Sequence, residues 1–145
     1  MKLPKEVYNG LLIFLGIGIY FFAMNLLGLT DLFYLRFFNI VFVVYGVNRT
    51  LVSNLVEGKK EFLPNALSAM TTSLIGVFLS VFGLLAFSYI KGGEAYIQTL
   101  SKTFLFGGNP SVNTYCICLF FEGVASSAMV TLILMLYYNN KYVAD

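Results

Sequence analysis

The run Leu119-Phe120-Phe121-Glu122-Gly123-Val124-Ala125-Ser126 lies well inside an apolar segment that extends from about Val112 to Tyr138. A segment of that length exceeds the ~20 residues an α-helix needs to cross a bilayer. A carboxylate within it costs several kcal/mol unless it is paired, neutralised or facing water. Whatever surrounds this helix must therefore accommodate Glu122, the only acidic residue inside any of the four long apolar segments of the chain.

Composition agrees with a membrane protein. Of 145 residues, 59% are hydrophobic and 11% charged, with a mean hydropathy of +0.82, whereas soluble domains carry about 25% charged residues. Histidine is absent, which removes the ordinary imidazole base, the His metal ligand and the near-neutral switch. Nine basic and seven acidic residues give a net charge of +2. They form no basic stripe of the kind nucleic acid requires. Cys116 and Cys118 stand at i,i+2 and point to nearly opposite sides of a helix, so neither a disulfide nor a shared metal is expected. They read as small packing residues.

Four spans follow in order. TM1 covers roughly 8–29 and is too long for the ~7–15-residue apolar region of a signal peptide; no small-residue cleavage site follows it. TM2 covers roughly 33–54 and is followed by the charged turn Glu57-Gly58-Lys59-Lys60-Glu61. Pro64 suits the first turn of TM3, roughly 64–90, which Lys91-Gly92-Gly93-Glu94 closes. TM4 spans 112–138. The expected architecture is an all-α membrane protein, a single domain of four transmembrane helices in an antiparallel bundle.

Lys and Arg set the expected orientation. The side with both termini and the 57–61 turn carries six of them (Lys2, Lys5, Arg49, Lys59, Lys60, Lys141), the other side three (Arg36, Lys91, Lys102). Both termini are therefore expected to be cytoplasmic. Tyr8, Tyr137, Tyr138 and Tyr142 mark one interface and Tyr34, Tyr89, Tyr96 and Tyr115 the other, as aromatic belts do. In the TM3–TM4 connection Ile97, Leu100, Phe104 and Leu105 recur at helical spacing, with Gln98, Ser101 and Lys102 elsewhere on the wheel. This pattern predicts a short interfacial helix, or alternatively a partner-binding loop, before Gly107-Gly108-Asn109-Pro110 turns the chain into TM4.

TM2 and TM4 run in the same direction in this topology. Glu122 lies about 15 Å down TM4 and Asn39 about 9 Å down TM2, at 1.5 Å per residue. Arg36 can snorkel along its stem toward either. Arg36, Asn39 and Glu122 thus form a candidate polar intramembrane cluster. It reads as a lock on helix register or, alternatively, as a proton or cation site. On TM4 the residues Tyr115, Cys118, Glu122, Ser126 and Met129 share a face, with Gly123, Ser127 and Thr131 alongside. TM3 carries a ridge of Ser73, Gly76, Ser80 and Gly83. Small residues at such spacing let helix backbones approach closely, within the chain or between copies of it. Ser126-Ser127 has no His partner, no acidic cluster could hold a metal, and neither glycine pair opens a phosphate loop. An enzyme is not expected, nor is a cofactor.

Leu26-Leu27-Gly28-Leu29 with Leu35-Arg36-Phe37-Phe38-Asn39, and later Phe121-Glu122-Gly123-Val124-Ala125-Ser126, resemble a family of small bacterial four-span membrane proteins known only as a domain of unknown function. The similarity follows the hydropathy order of most of the chain. In letters it rests on those two motifs, and it departs from the family's ending at Met135-Leu136-Tyr137-Tyr138. The resemblance implies the bacterial inner membrane and a grouping of Arg36, Asn39 and Glu122, but no mechanism. The expected role is a non-enzymatic structural or accessory subunit, self-associating or bound in a membrane complex. The alternative is a small transporter or channel-like protein using Glu122.

Overall fold

A chain so apolar can satisfy its backbone within a bilayer only by closing its hydrogen bonds inside each segment, and helices do that. The computed structural model describes residues 3–100 and 108–143, the Phe33 side chain excepted. Six α-helices follow one another: α1 (Lys5–Leu26), α2 (Phe33–Arg36), α3 (Asn39–Val56), α4 (Phe62–Lys91), α5 (Glu94–Leu100) and α6 (Val112–Tyr137). No strand occurs among the described residues; one isolated parallel bridge joins Glu61 to Val143. Four stretches are long and apolar enough to cross a membrane, namely Lys5–Leu26, Tyr34–Val56, Phe62–Lys91 and Val112–Tyr137.

Local chemistry accounts for the ends. Ser111 caps α6 by accepting the Thr114 N–H on its hydroxyl at 3.2 Å, which satisfies one of the orphan donors of a helix start. Pro64 falls in the first turn of α4, where its missing N–H costs no intrahelical bond. At the other end of α4 the chain turns through Gly92 and Gly93, at φ +123° and +64°, a region L side chains rarely enter.

TM2 differs from the expected continuous helix over 33–54. It breaks at Phe37 and Phe38 and extends to Val56. Across the break the backbone bonds run i→i+3: Phe37 N–H to Tyr34 O, Phe38 N–H to Leu35 O, Ile40 N–H to Phe37 O and Val41 N–H to Phe38 O, each 3.1–3.2 Å. Such 3₁₀ winding tightens the turn.

Helix contacts run in a regular order. From α1 to α3, Asn9 meets Thr50, Ile13 meets Gly46 and Gly16 meets Phe42. From α1 to α4, Gly10 meets Thr72 and Ile75, Ile13 meets Gly76 and Phe14 meets Gly83. The α1–α4 crossing is especially close: a Cβ on Gly76 would lie 2.6 Å from the Ile13 side chain and 3.2 Å from the Gly10 carbonyl oxygen. Ile13, 1% exposed, is thereby wedged between Gly46 of α3 and Gly76 of α4. Around it Val43, Val47, Leu51, Ala69, Val130, Leu134 and Met135 form one core, at the half of the bundle nearest the 57–61 turn.

A second core lies at the opposite end. There Ile97 and Leu100 of α5 are buried against Val112, Tyr115 and Cys116 of α6. The apolar side of α5 therefore covers α6. Of the other residues expected in that helix, Ser101, Lys102, Phe104 and Leu105 lie outside the described residues, as do Lys2 and Gly107. Leu15, Ile19, Phe22, Phe82, Phe121, Leu132 and Leu136 point outward and are more than half exposed. An apolar surface on every side is the signature of lipid-facing helices.

Candidate functional site

Between the two cores the four long helices diverge and enclose a cavity of about 680 Å³. Its walls come from all of them. Phe14, Phe21 and Gly18 line it from α1, Asn39 and Val43 from α3, and Ser80, Gly83 and Phe87 from α4. Tyr115, Leu119, Glu122, Gly123, Ser126 and Met129 supply one side of α6, a stripe at the 3.6-residue period.

Arg36 and Glu122 meet at the wall of this cavity, with Nη2 of the guanidinium 3.7 Å from Oε2 of the carboxylate. That distance makes an ion pair and exceeds a hydrogen bond. The Arg36 guanidinium also sits over the Tyr115 ring, 5.8 Å from its centre, within cation–π range. Arg36 stands just before the tightened 37–38 turn, and Tyr20 of α1 donates its hydroxyl to the neighbouring Leu35 carbonyl at 2.8 Å.

The two charges differ in burial. Arg36 keeps 19% of its side-chain exposure and Glu122 keeps 51%. The sequence suggests a buried carboxylate; the structure corrects this, because Glu122 is half-exposed and lines the cavity. Asn39 lines the same cavity, but among the described residues no hydrogen bond joins it to Arg36 or Glu122. Its amide oxygen is buried and has no hydrogen-bond partner among the described residues. The three expected residues thus share one cavity, two of them as an ion pair and the third as an unmatched acceptor.

The small-residue ridges divide between two roles. Ser73 and Gly76 face packed helix: Ser73 is fully buried with its hydroxyl bonded to the Met70 carbonyl at 2.9 Å. Ser80, one turn on, bonds the Gly76 carbonyl at 2.7 Å and lines the cavity together with Gly83. Gly123 lies against Val77 of α4 at the cavity margin. Ser127 is fully buried, its hydroxyl without a partner among the described residues.

A polar feature at the packed half was not singled out from the sequence. Asn9 Nδ2 donates to Thr50 Oγ1 at 2.8 Å, and Thr50 and Thr72 share a hydrogen bond at 2.9 Å. This chain ties α1, α3 and α4 where all three residues are 2% exposed or less. Its signal was available as uncharged polar residues inside three predicted spans. Nearby, Tyr138 donates to Asn48 Oδ1 at 2.6 Å, joining α3 to the end of α6. At the surface of this half, Lys5 and Lys59 both reach Glu57, at 2.5 and 3.2 Å. The hydrogen bond from Lys5, then that from Lys59, holds the Glu57 carboxyl below the ordinary carboxylate range, and the same contact raises the Lys59 ammonium.

Among the described residues no group of three His, Cys, Asp or Glu side chains is placed to hold a metal ion, and Cys116 and Cys118 are both free thiols. No protein-family model, no curated protein and no solved structure matches this chain.

Proposed function

We propose that this chain is a non-enzymatic integral protein of a bacterial inner membrane, a structural or accessory subunit that acts as a homo-oligomer or within a membrane complex. Its four spans form an antiparallel bundle with both termini cytoplasmic, and α5 lies at the outer surface. Membership in the small bacterial four-span family that its motifs resemble belongs to the same proposal. The observation that carries the reading is the Arg36–Glu122 pair, which joins the start of TM2 to α6 across a cavity. Charged groups in hydrocarbon are expensive and persist where they pair. The pair holds the register of TM2 and α6 at the cavity end, as the Tyr138–Asn48 hydrogen bond does at the packed end.

Glu122→Gln tests the lock. It keeps shape and removes charge, leaving Arg36 without its counter-ion. A lock predicts a loss of about 1 kcal/mol in unfolding measured in detergent, the scale of interhelical polar contacts in membranes, and poorer recovery of assembled protein. Unchanged stability sinks this reading.

One observation favours a second reading. Glu122 is half-exposed to a cavity, as a proton or cation site in a small transporter would be. Under that reading Glu122→Gln leaves folding intact and abolishes a cation or proton flux in proteoliposomes.

A further inference from the structure

The chain beyond α6 folds back against the 57–61 turn. A single 3₁₀ turn, Asn139–Lys141, begins this segment, and three contacts hold it down. Tyr138 donates to Asn48 Oδ1 at 2.6 Å. The Tyr142 ring meets the Phe62 ring edge-on, with centres 6.0 Å apart, and the Val143 N–H bonds the Lys60 carbonyl at 2.8 Å. Residues far apart in sequence therefore border one surface pocket of about 400 Å³, lined by Leu55, Lys60, Asn140, Lys141, Tyr142 and Val143.

Charge sets this pocket apart from the rest of the same face. Lys5 and Lys59 are both paired with Glu57. Lys60 and Lys141 are exposed, and neither takes part in an ion pair among the described residues. None of the described residues lining the pocket carries a carboxylate. The Lys141 ammonium lies over the Tyr138 ring, 5.2 Å from its centre, a contact that orients a cation without neutralising it. The Asn140 amide adds N–H donors. Two ammonium groups and an amide suit the oxygens of a phosphate.

The apolar border selects the kind of phosphate. Leu55 belongs to the last turn of α3, and Tyr142 packs against the first core. The pocket thus sits where two spans end, at the depth of lipid head groups. Val56 and Tyr137, next in the chain to Leu55 and Tyr138, are exposed and offer a surface on which acyl chains can lie. A zwitterionic head would bring its own cation toward the same two lysines, so a net negative head fits better.

We infer that this pocket binds the phosphate of an anionic glycerophospholipid, with Lys60 and Lys141 on its oxygens, Asn140 beside them and the chains leaving along Val56 and Tyr137. The C-terminal segment is then part of the site, because the Val143 N–H ties the strand that carries Lys141 to Lys60 itself. The inference rests on the membrane reading above and does not involve the Arg36–Glu122 pair.

The test uses full-length protein stripped of lipid in a maltoside detergent at low salt, with bound lipid read by native mass spectrometry. Phosphatidylglycerol is expected to bind about 25-fold more tightly than phosphatidylcholine with the same chains, the scale of two lysines at an anionic surface. Lys60→Gln and Lys141→Gln, both at exposed positions, should each cut that preference about fivefold, and the double variant should abolish it. Lys59→Gln removes the same charge from the same turn but not from the pocket, and should leave the preference unchanged. Val143→Pro keeps every charge and removes the N–H that the Lys60 carbonyl accepts, so it too should lower the preference. Equal binding of the two lipids, or a preference unchanged in both pocket variants, overturns the inference. An equal loss from Lys59→Gln does so as well, since it would mean a diffuse basic surface. Displacement of the lipid by an equal concentration of glycerol 3-phosphate would overturn the lipid in favour of a soluble phosphate. A preference that emerges only in Asp145→Asn protein also overturns it, because the chain's own carboxylate would then hold the lysines. Every variant retains Arg36 and Glu122, so loss of this site leaves the proposed function standing, whereas a chain found outside the membrane fraction removes both.

Discussion

The half of the bundle nearest the 57–61 turn and the half around Arg36 are built from similar residues, yet their centres differ. In the first, Ile13 fills the space between Gly46 and Gly76, and Asn9, Thr50 and Thr72 hydrogen-bond across three helices. In the second, Gly18, Ser80, Gly83 and Ser126 face a cavity, and Arg36 spans to Glu122. Small residues therefore do opposite work in the two halves. At the close crossing they bring backbones together, and beyond it they line the cavity: a Cβ at Gly18 would meet nothing within 4 Å, while Gly83 takes the edge of the Phe14 ring. The interior polar groups follow the same division: Asn9, Thr50 and Thr72 at the centre of the packed half are uncharged and bonded to each other, whereas the Arg36–Glu122 pair lines the cavity.

The sharpest way to break this comparison is to place the same side chain in both halves. Gly76→Val puts a branched side chain where even a Cβ would lie 2.6 Å from Ile13 and 3.2 Å from the Gly10 backbone. Backbone cannot yield as a side-chain tip can, so the cost should reach about 3 kcal/mol, the upper end of ordinary overpacking. The monodisperse peak in size-exclusion chromatography should largely disappear. Gly18→Val lies on the wall of the cavity, where a Cβ would meet nothing within 4 Å, and should change stability by less than about 0.5 kcal/mol. Equal damage from the two would mean that the halves are packed alike.

Thr50→Val is the next largest effect. The replacement is nearly the same size but removes the hydroxyl that accepts from Asn9 and bonds Thr72. Two membrane-buried hydrogen bonds at about 0.6 kcal/mol each give a loss of about 1–2 kcal/mol in detergent unfolding. A double-mutant cycle with Thr72→Val should show coupling between the two positions. Independent, additive effects would mean that the three helices are held by apolar contact alone.

Much of this organisation was legible in the residues, for reasons that differ by level. Four spans were readable because length and apolarity are properties of a whole segment and survive small errors at its ends. Arg36 and Glu122 stood out because a charge in an apolar run has few places to go. The break at Phe37 and Phe38 gave no warning: neither is Pro or Gly, and the Tyr20 hydroxyl that bonds the Leu35 carbonyl beside it comes from another helix. Asn9, Thr50 and Thr72 were overlooked because uncharged polar residues are common in spans, and a hydroxyl can bond its own helix. Thr72 does so with the Ser68 carbonyl at 2.9 Å. The cavity was least legible of all. It depends on how far four helices diverge beyond the Gly10–Gly76 crossing, a relation among elements that no single segment encodes.

The smallest expected effect lies at the surface of the packed half, and its sign follows from Glu57. Hydrogen bonds from Lys5 and Lys59 hold this carboxyl below its ordinary value of 4.5, so the folded state favours the charged form. The contribution is therefore fully present above about pH 4.5 and is lost as pH falls through the depressed folded-state value. Because the group is fully exposed and its partners are flexible lysines, salt should screen the effect. Lys59 works in the opposite sense: its raised value stabilises below about pH 10.5 and is lost only as pH climbs past its folded-state value. Glu57→Gln should remove a small acid-limb slope in stability measured from pH 6 to 3 at low salt, and leave the profile between pH 6 and 9 unchanged. A slope that survives in this variant comes from another carboxylate, and Glu6, bonded to the Ser68 hydroxyl at 2.6 Å in the same half, is the next to replace.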